Sequence, residues 1–177
     1  MTSYALIGDS QGVGLSDPLS ALISVVSSGP VVGATTAGEV RDQLPAALQS
    51  TADTVLVVTG GNDDPLSPAA FARLVATTRA AGKGLVVVGP VYALTSDAPR
   101  HDAARAALAA AAAQAGVPFI DAYPLTRDLA RTTNVHLGPG YPTYAARLAA
   151  ALRGGGGGRA VVLALGLGLA LLASRLR

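Results

Sequence analysis

Two hydrophobic rhythms alternate along the chain. Short aliphatic runs closed by Gly, Pro, Asp or Thr fall at 3–8, 30–34, 54–59, 84–89 and 117–121, and predict strands. Longer segments between them, at about 17–27, 39–50, 67–81, 98–115 and 139–153, predict helices. The helix at 67 opens on Ser67-Pro68, a hydroxyl cap followed by a proline in the first turn. The one near 98 runs through an alanine tract at 103–115, where Arg105 and Gln114 mark a solvated edge. Strand–helix alternation of this kind argues for a parallel sheet covered on both faces. With right-handed crossovers, the expectation is an α/β fold: a three-layer α/β/α sandwich with a five-stranded parallel sheet.

Composition narrows the function classes. A chain of 177 residues supports one domain with a sizeable core. The net charge is +2, and no basic run is interleaved with aromatics, so no nucleic-acid partner is expected. There is no cysteine, which removes disulfides and thiolate metal sites, and the two histidines, His101 and His136, lie far apart. No metal and no cofactor are therefore expected. His101 is expected in the first turn of a solvent-facing helix, without a role.

The two ends differ. Met1-Thr2-Ser3 leads directly into the first aliphatic run, with neither a basic n-region nor a long h-region, so no signal peptide is expected. Near the other end, residues 154–159 are a glycine-rich linker, and 160–177 is an apolar segment closed by Ser174-Arg175-Leu176-Arg177. Residues 160–173 carry no charge. As a helix they would be roughly 21 Å long, short of a hydrocarbon core of roughly 30 Å. Counting from Arg159 to Arg175 gives about 24 Å, and both arginines can reach outward to the interface. The segment reads as a C-terminal apolar helix that anchors the protein in a membrane, against the plainer reading of a packed terminal helix. Ala164, Gly168 and Leu172 share a face, as do Gly166 and Ala170, a spacing that would permit helix-mediated homo-oligomers.

Candidate chemistry sits where the strands end. Gly8-Asp9-Ser10-Gln11 follows the first strand and Gly60-Gly61-Asn62-Asp63 the third, and open α/β sheets bind ligands at that edge. Each motif alone also reads as a cap or a turn. Together with the late Val135-His136 they supply a serine nucleophile, a base and an amide donor for an oxyanion.

These residues resemble the blocks of the SGNH hydrolases, the GDSL-type esterases and lipases. Gly8, Asp9 and Ser10 match the first block, and Gly60, Asn62 and Asp63 the third. Ala34-Thr35-Thr36-Ala37-Gly38-Glu39 resembles the second loosely, with Gly38 as its glycine. Thr133-Asn134-Val135-His136, followed by Leu137-Gly138-Pro139, resembles the last. The resemblance spans 3 to about 152, so residues 1–153 are taken as the domain. It implies that Ser10 attacks an ester carbonyl, that His136 takes its proton, and that Gly38 and Asn62 join the Ser10 amide in holding the oxyanion. It also implies that Asp9 and Asp63 brace loops. Tyr141 and Tyr144 would rim the pocket or pack the last helix on the sheet.

One position departs from the pattern: Thr133 stands where the family has its aspartate. Three readings stay open. The enzyme works as a Ser–His dyad with a backbone carbonyl holding the imidazole; Asp128 in the same loop supplies the charge; or the domain is a binding relic. The expected function is a membrane-anchored serine esterase acting on O-acyl esters of a lipid or of an acetylated glycan or peptidoglycan. The competing class is a structural or interaction protein tethered by its tail, for example in a membrane-containing phage virion.

Overall fold

The computed structural model describes residues 1–154. Five parallel strands form one sheet in the order β2-β1-β3-β4-β5. They are β1 (Tyr4–Gly8), β2 (Val25–Ser28), β3 (Thr54–Val58), β4 (Gly84–Val88) and β5 (Phe119–Ile120). The helices are α1 (Ser10–Ser20), α2 (Thr36–Gly38), α3 (Leu44–Gln49), α4 (Pro68–Ala80), α5 (Ala98–Ala115), α6 (Tyr123–Thr126) and α7 (Tyr141–Gly154). A π-helical turn, Glu39–Gln43, fuses α2 to α3.

Alternation along β3 shows how the strands build two cores. Val55 and Val57 point to one face, where they meet Leu44 and Ala47 of α3, Phe71 and Leu74 of α4, and Leu108 and Ala112 of α5. Leu56 and Val58 point to the other, against Leu15 and Leu19 of α1 and Tyr144, Ala145 and Leu148 of α7. Burial on both faces explains why the strands read as continuous aliphatic runs.

The first crossover differs from the expected helix at 17–27 and strand at 30–34. The helix starts at Ser10 and the strand is Val25–Ser28, while 30–34 is a loop with Val31 and Val32 exposed. Gly12, Gly14 and Pro18 hide α1 from its composition. The helix forms because the Asp9 side chain accepts the Gln11 amide at 2.8 Å, and because Leu15 and Leu19, four apart, are fully buried. Pro30 ends the next strand early. Elsewhere the boundaries agree to within a few residues. Among the described residues no helix is long and apolar enough to cross a membrane. The expected C-terminal helix, its membrane contact and its helix-mediated association lie outside the described residues, as does the linker beyond Gly154.

The sheet changes direction between β1 and β3, whose connections leave to opposite sides, and this switch point opens the crevice. The two strands run in register from Tyr4↔Thr54 to Gly8↔Val58. Gly8 ends β1 at φ +154°, and a Cβ there would lie 2.3 Å from the Val58 carbonyl oxygen. Gln43 seals this strand end: its Oε1 accepts the Gly8 amide at 2.8 Å and its Nε2 donates to the Gly8 carbonyl at 3.0 Å. Gly8→Ala should therefore cost about 2 kcal/mol or more, from strain plus overpacking against fixed backbone. Urea unfolding checks this, and an unchanged midpoint would show that the strands separate without cost.

Candidate functional site

Ser10 is the first residue of α1, directly after β1. As the first helical residue its N–H has no partner inside the helix, and it faces whatever lies at the positive end of the dipole. Asp9 sets this geometry. Its side chain caps α1, and its carboxylate also faces the amides of Gly61 and Gly12. The same carboxylate thus touches the turn that carries Ser10 and the turn that carries Asn62.

Asn62 Nδ2 donates to the Ala34 carbonyl at 3.0 Å, which leaves its second N–H uncommitted by that bond. Asp63 fixes the neighbouring loop by accepting the Thr36 amide at 3.1 Å and the Thr36 hydroxyl at 2.6 Å. Thr36 Oγ1 also lies 2.8 Å from Thr59 Oγ1. Asp9 and Asp63 are braces of the two turns, in line with the expectation.

His136 lies in the loop before α7, and its Nε2 is 3.1 Å from Ser10 Oγ. Its Nδ1 is 2.9 Å from Thr133 Oγ1. The Thr133 oxygen also accepts the His136 amide at 3.0 Å. The Val135 amide makes a longer contact to the same oxygen at 3.4 Å, and the hydroxyl can still accept Nδ1–H. That tautomer leaves Nε2 free to accept the Ser10 proton. So a side-chain hydroxyl, and not a backbone carbonyl, contacts Nδ1.

Asp128 does not fill the acid's place. It is exposed and bound in a two-pronged ion pair to Arg147 of α7, at 2.6 and 2.8 Å. The Arg147 guanidinium lowers its carboxyl to about 2. Gly38 also departs from expectation. Its amide donates to Thr35 Oγ1 at 3.2 Å, capping α2, while the loop carbonyl beside Asn62 belongs to Ala34. The sequence does not mark Ala34, because the second block's pattern is loose and a residue that acts through its backbone leaves no side-chain signature. His101 is buried, not solvent-facing, with Nδ1 3.0 Å from the Val91 carbonyl oxygen. Burial lowers its pKa. Tyr144 is fully buried in the core under α7, the packing alternative, whereas Tyr141 is half-buried at the helix start. Among the described residues no cluster of His, Asp or Glu has the arrangement of a metal site.

Beneath the site lie buried carboxyls. Desolvation raises Asp9 to about 6, against the amides that favour its charged form. Glu39, at the start of the π-helical turn, is completely buried, and the nearby Thr59 hydroxyl only partly offsets that burial. Desolvation, with the nearby Asp9 charge, raises it well above its ordinary value. Both pKa values are higher folded than unfolded, so the unfolded chain loses these protons first as pH rises. Stability should fall from about pH 4 to about pH 6 for Asp9, on the order of 3 kcal/mol, with Glu39 extending the fall upward. Buried His101 acts in the opposite sense over the same window, so the carboxyl contribution is read by difference between variants. Glu39→Gln, neutral and of the same shape, should raise the midpoint more at pH 7 than at pH 5. Calorimetry at both values decides; an equal gain from Glu39→Gln at pH 5 and pH 7 would contradict this assignment.

The comparisons with known proteins agree with this geometry. The family model for the GDSL-like lipase/acylhydrolase family matches residues 7–140, from the end of β1 to the start of α7. No curated protein sequence matches the chain. Several solved structures share its fold. A lipase/acylhydrolase from Enterococcus faecalis superposes with a TM-score of 0.65 at 20% identity, over 87% of this chain and 96% of that one. The catalytic domain of peptidoglycan O-acetyltransferase A from Streptococcus pneumoniae gives 0.66 at 19% identity, over 86% and 93%. An arylesterase-like protein from Agrobacterium tumefaciens gives 0.65 at 18% identity, over 87% and 99%. At these identities the structures speak for the fold, while the family model extends across the nucleophile turn, the Asn62 turn and the His136 loop. The chain belongs to the GDSL-like lipase/acylhydrolase family.

Proposed function

We propose that the protein is a serine ester hydrolase that works through Ser10 and His136, with the Thr133 hydroxyl in place of the usual acid. The observation that carries this reading is the continuous line Ser10 Oγ–His136 Nε2 and His136 Nδ1–Thr133 Oγ1, at 3.1 and 2.9 Å. In this mechanism His136 removes the Ser10 proton as Oγ attacks the ester carbonyl. It then returns that proton to the leaving alcohol, and water repeats the cycle on the acyl-enzyme. In this reading the Ser10 N–H and the second N–H of Asn62 donate to the oxyanion. Thr133 fixes the tautomer but brings no charge to the imidazolium, so turnover should be slow for the family.

The surface beside Ser10 supports an apolar acyl group. The Val31 amide donates to the Gly8 carbonyl at 2.9 Å, which puts the exposed Val31 and Val32 next to the nucleophile turn, and Val13 of α1 is exposed as well. Lipid esters suit such a rim. Acetylated glycan or peptidoglycan remains the other substrate class, since a peptidoglycan O-acetyltransferase shares the fold. The uncharged run 160–173 supports a membrane location for either substrate. Full-length protein should then partition with lipid and a chain truncated after Arg153 should not; equal partitioning would remove the anchor.

Ser10→Ala should abolish hydrolysis of a short p-nitrophenyl ester, and Asn62→Ala should slow it about 10²–10³-fold, the usual loss of one oxyanion donor. Activity of Ser10→Ala equal to the parent would end the serine mechanism. Thr133→Asp keeps an oxygen for the His136 amide and adds a charge at Nδ1, so it should raise kcat about tenfold. Thr133→Val, which removes the contact, should lower kcat. If neither change alters turnover, Thr133 does not orient the base.

A further inference from the structure

Gln11 follows the nucleophile and is almost completely buried, which is unusual for an amide side chain at the mouth of a site. Its two ends have different partners. Nε2 donates to the Val135 carbonyl at 2.9 Å, and Oε1 accepts the Tyr141 hydroxyl at 3.0 Å. A carbonyl can only accept, so the orientation of this amide is fixed by chemistry. Burial raises Tyr141 to about 12, so its hydroxyl stays a donor.

The peptide unit between Val135 and His136 is thereby held at both ends. Gln11 takes its carbonyl, and Thr133 Oγ1 takes its N–H at 3.0 Å. The Thr132 amide adds a third restraint on the His136 carbonyl at 2.9 Å. Tyr141 can reach Gln11 only because position 14 is glycine: a Cβ there would lie 2.2 Å from the Tyr141 ring. The chain Gly14–Tyr141–Gln11–Val135 links α1, which begins at the nucleophile, to the loop that carries the base.

We propose that Gln11, held by Tyr141, is a positioning residue for His136, fixing the imidazole over Ser10 in a site whose Nδ1 partner is a neutral hydroxyl. This rests on the serine-hydrolase reading for its kinetic consequence, but not for its structural one. A carboxylate partner would pull the ring into line by charge; a threonine hydroxyl cannot, so more of the alignment falls to the backbone beneath the ring. Displacing a general base by a fraction of an ångström to 1 Å costs roughly 10–100-fold in rate.

The test uses the full chain with Gln11→Met, Gln11→Glu and Tyr141→Phe, measured by p-nitrophenyl acetate kinetics, thermal melting and ring ¹⁵N shifts of His136. Gln11→Met, of similar shape, should lower kcat about 10- to 100-fold with KM within about twofold. Gln11→Glu should lose as much where its carboxyl is ionised, which repels the Val135 carbonyl, and less where it is protonated and donates to that carbonyl, so it is compared with the parent at two pH values. Tyr141→Phe should lose less, about threefold, since it loosens Gln11 without removing it. The ¹⁵N shifts should report one Nδ1–H tautomer in the parent and a mixture in the Gln11 variants, an effect that general loosening of the core would not produce. Parent-like kcat and parent-like ring shifts in both Gln11 variants would overturn the proposal. Should those two fail to fold, Tyr141→Phe decides: reduced kcat with an unchanged melt supports it, and unchanged kcat refutes it. If the parent hydrolyses no ester, the hydrolase reading fails and the ring shifts alone decide whether Gln11 positions His136.

Discussion

The parallel pairing of β1 with β3 is the constraint on which the rest depends. Their registered ends, Gly8 opposite Val58, put the nucleophile turn and the Asn62 turn side by side at the switch point of the sheet. Only a residue without a side chain fits at Gly8, and Asp9 then reaches from one turn to the amides of the other. The cost is a carboxylate buried deeply enough to resist ionisation, with Glu39 buried behind it. This site is stabilised by hydrogen bonds across the strand ends and destabilised by the charges that make them. The two cores on either side of the sheet, each built from alternate residues of the same strands, offset that cost.

Much of this was legible in the sequence because strand ends and turn residues coincide with the chemistry. The aliphatic runs at 54–59 and 84–89 fixed the central strands, and the alanine tract fixed α5, where propensity and packing agree. The first crossover was misplaced because α1 contains two glycines and a proline, so its cap and two buried leucines outweigh its composition. The resemblance makes Gly38 an oxyanion donor, yet its amide is consumed as a helix cap. Which amide a loop turns toward a site is decided by tertiary contacts, such as Asn62 to Ala34, that no local pattern encodes. Asp128 was a reasonable acid from its place in the chain, but Arg147, nineteen residues on, holds it.

At Thr133 the last block departs from the family pattern, and a neutral side chain meets the imidazole. The Thr133 hydroxyl accepts the His136 amide and lies 2.9 Å from Nδ1 of the same residue. What is lost is charge, which in a partly exposed loop matters less for folding than for the imidazolium formed during attack. The His136 loop is held by backbone restraints, and in the proposed mechanism the Nδ1 contact is neutral.

The central claim is that Ser10 is a nucleophile activated by His136. Treating the full-length protein with a fluorophosphonate and mapping the adduct by peptide mass spectrometry tests it most directly. The account predicts a single adduct, on Ser10, that forms far more slowly in His136→Ala. A folded protein that stays unlabelled, or one labelled equally fast without His136, would contradict it.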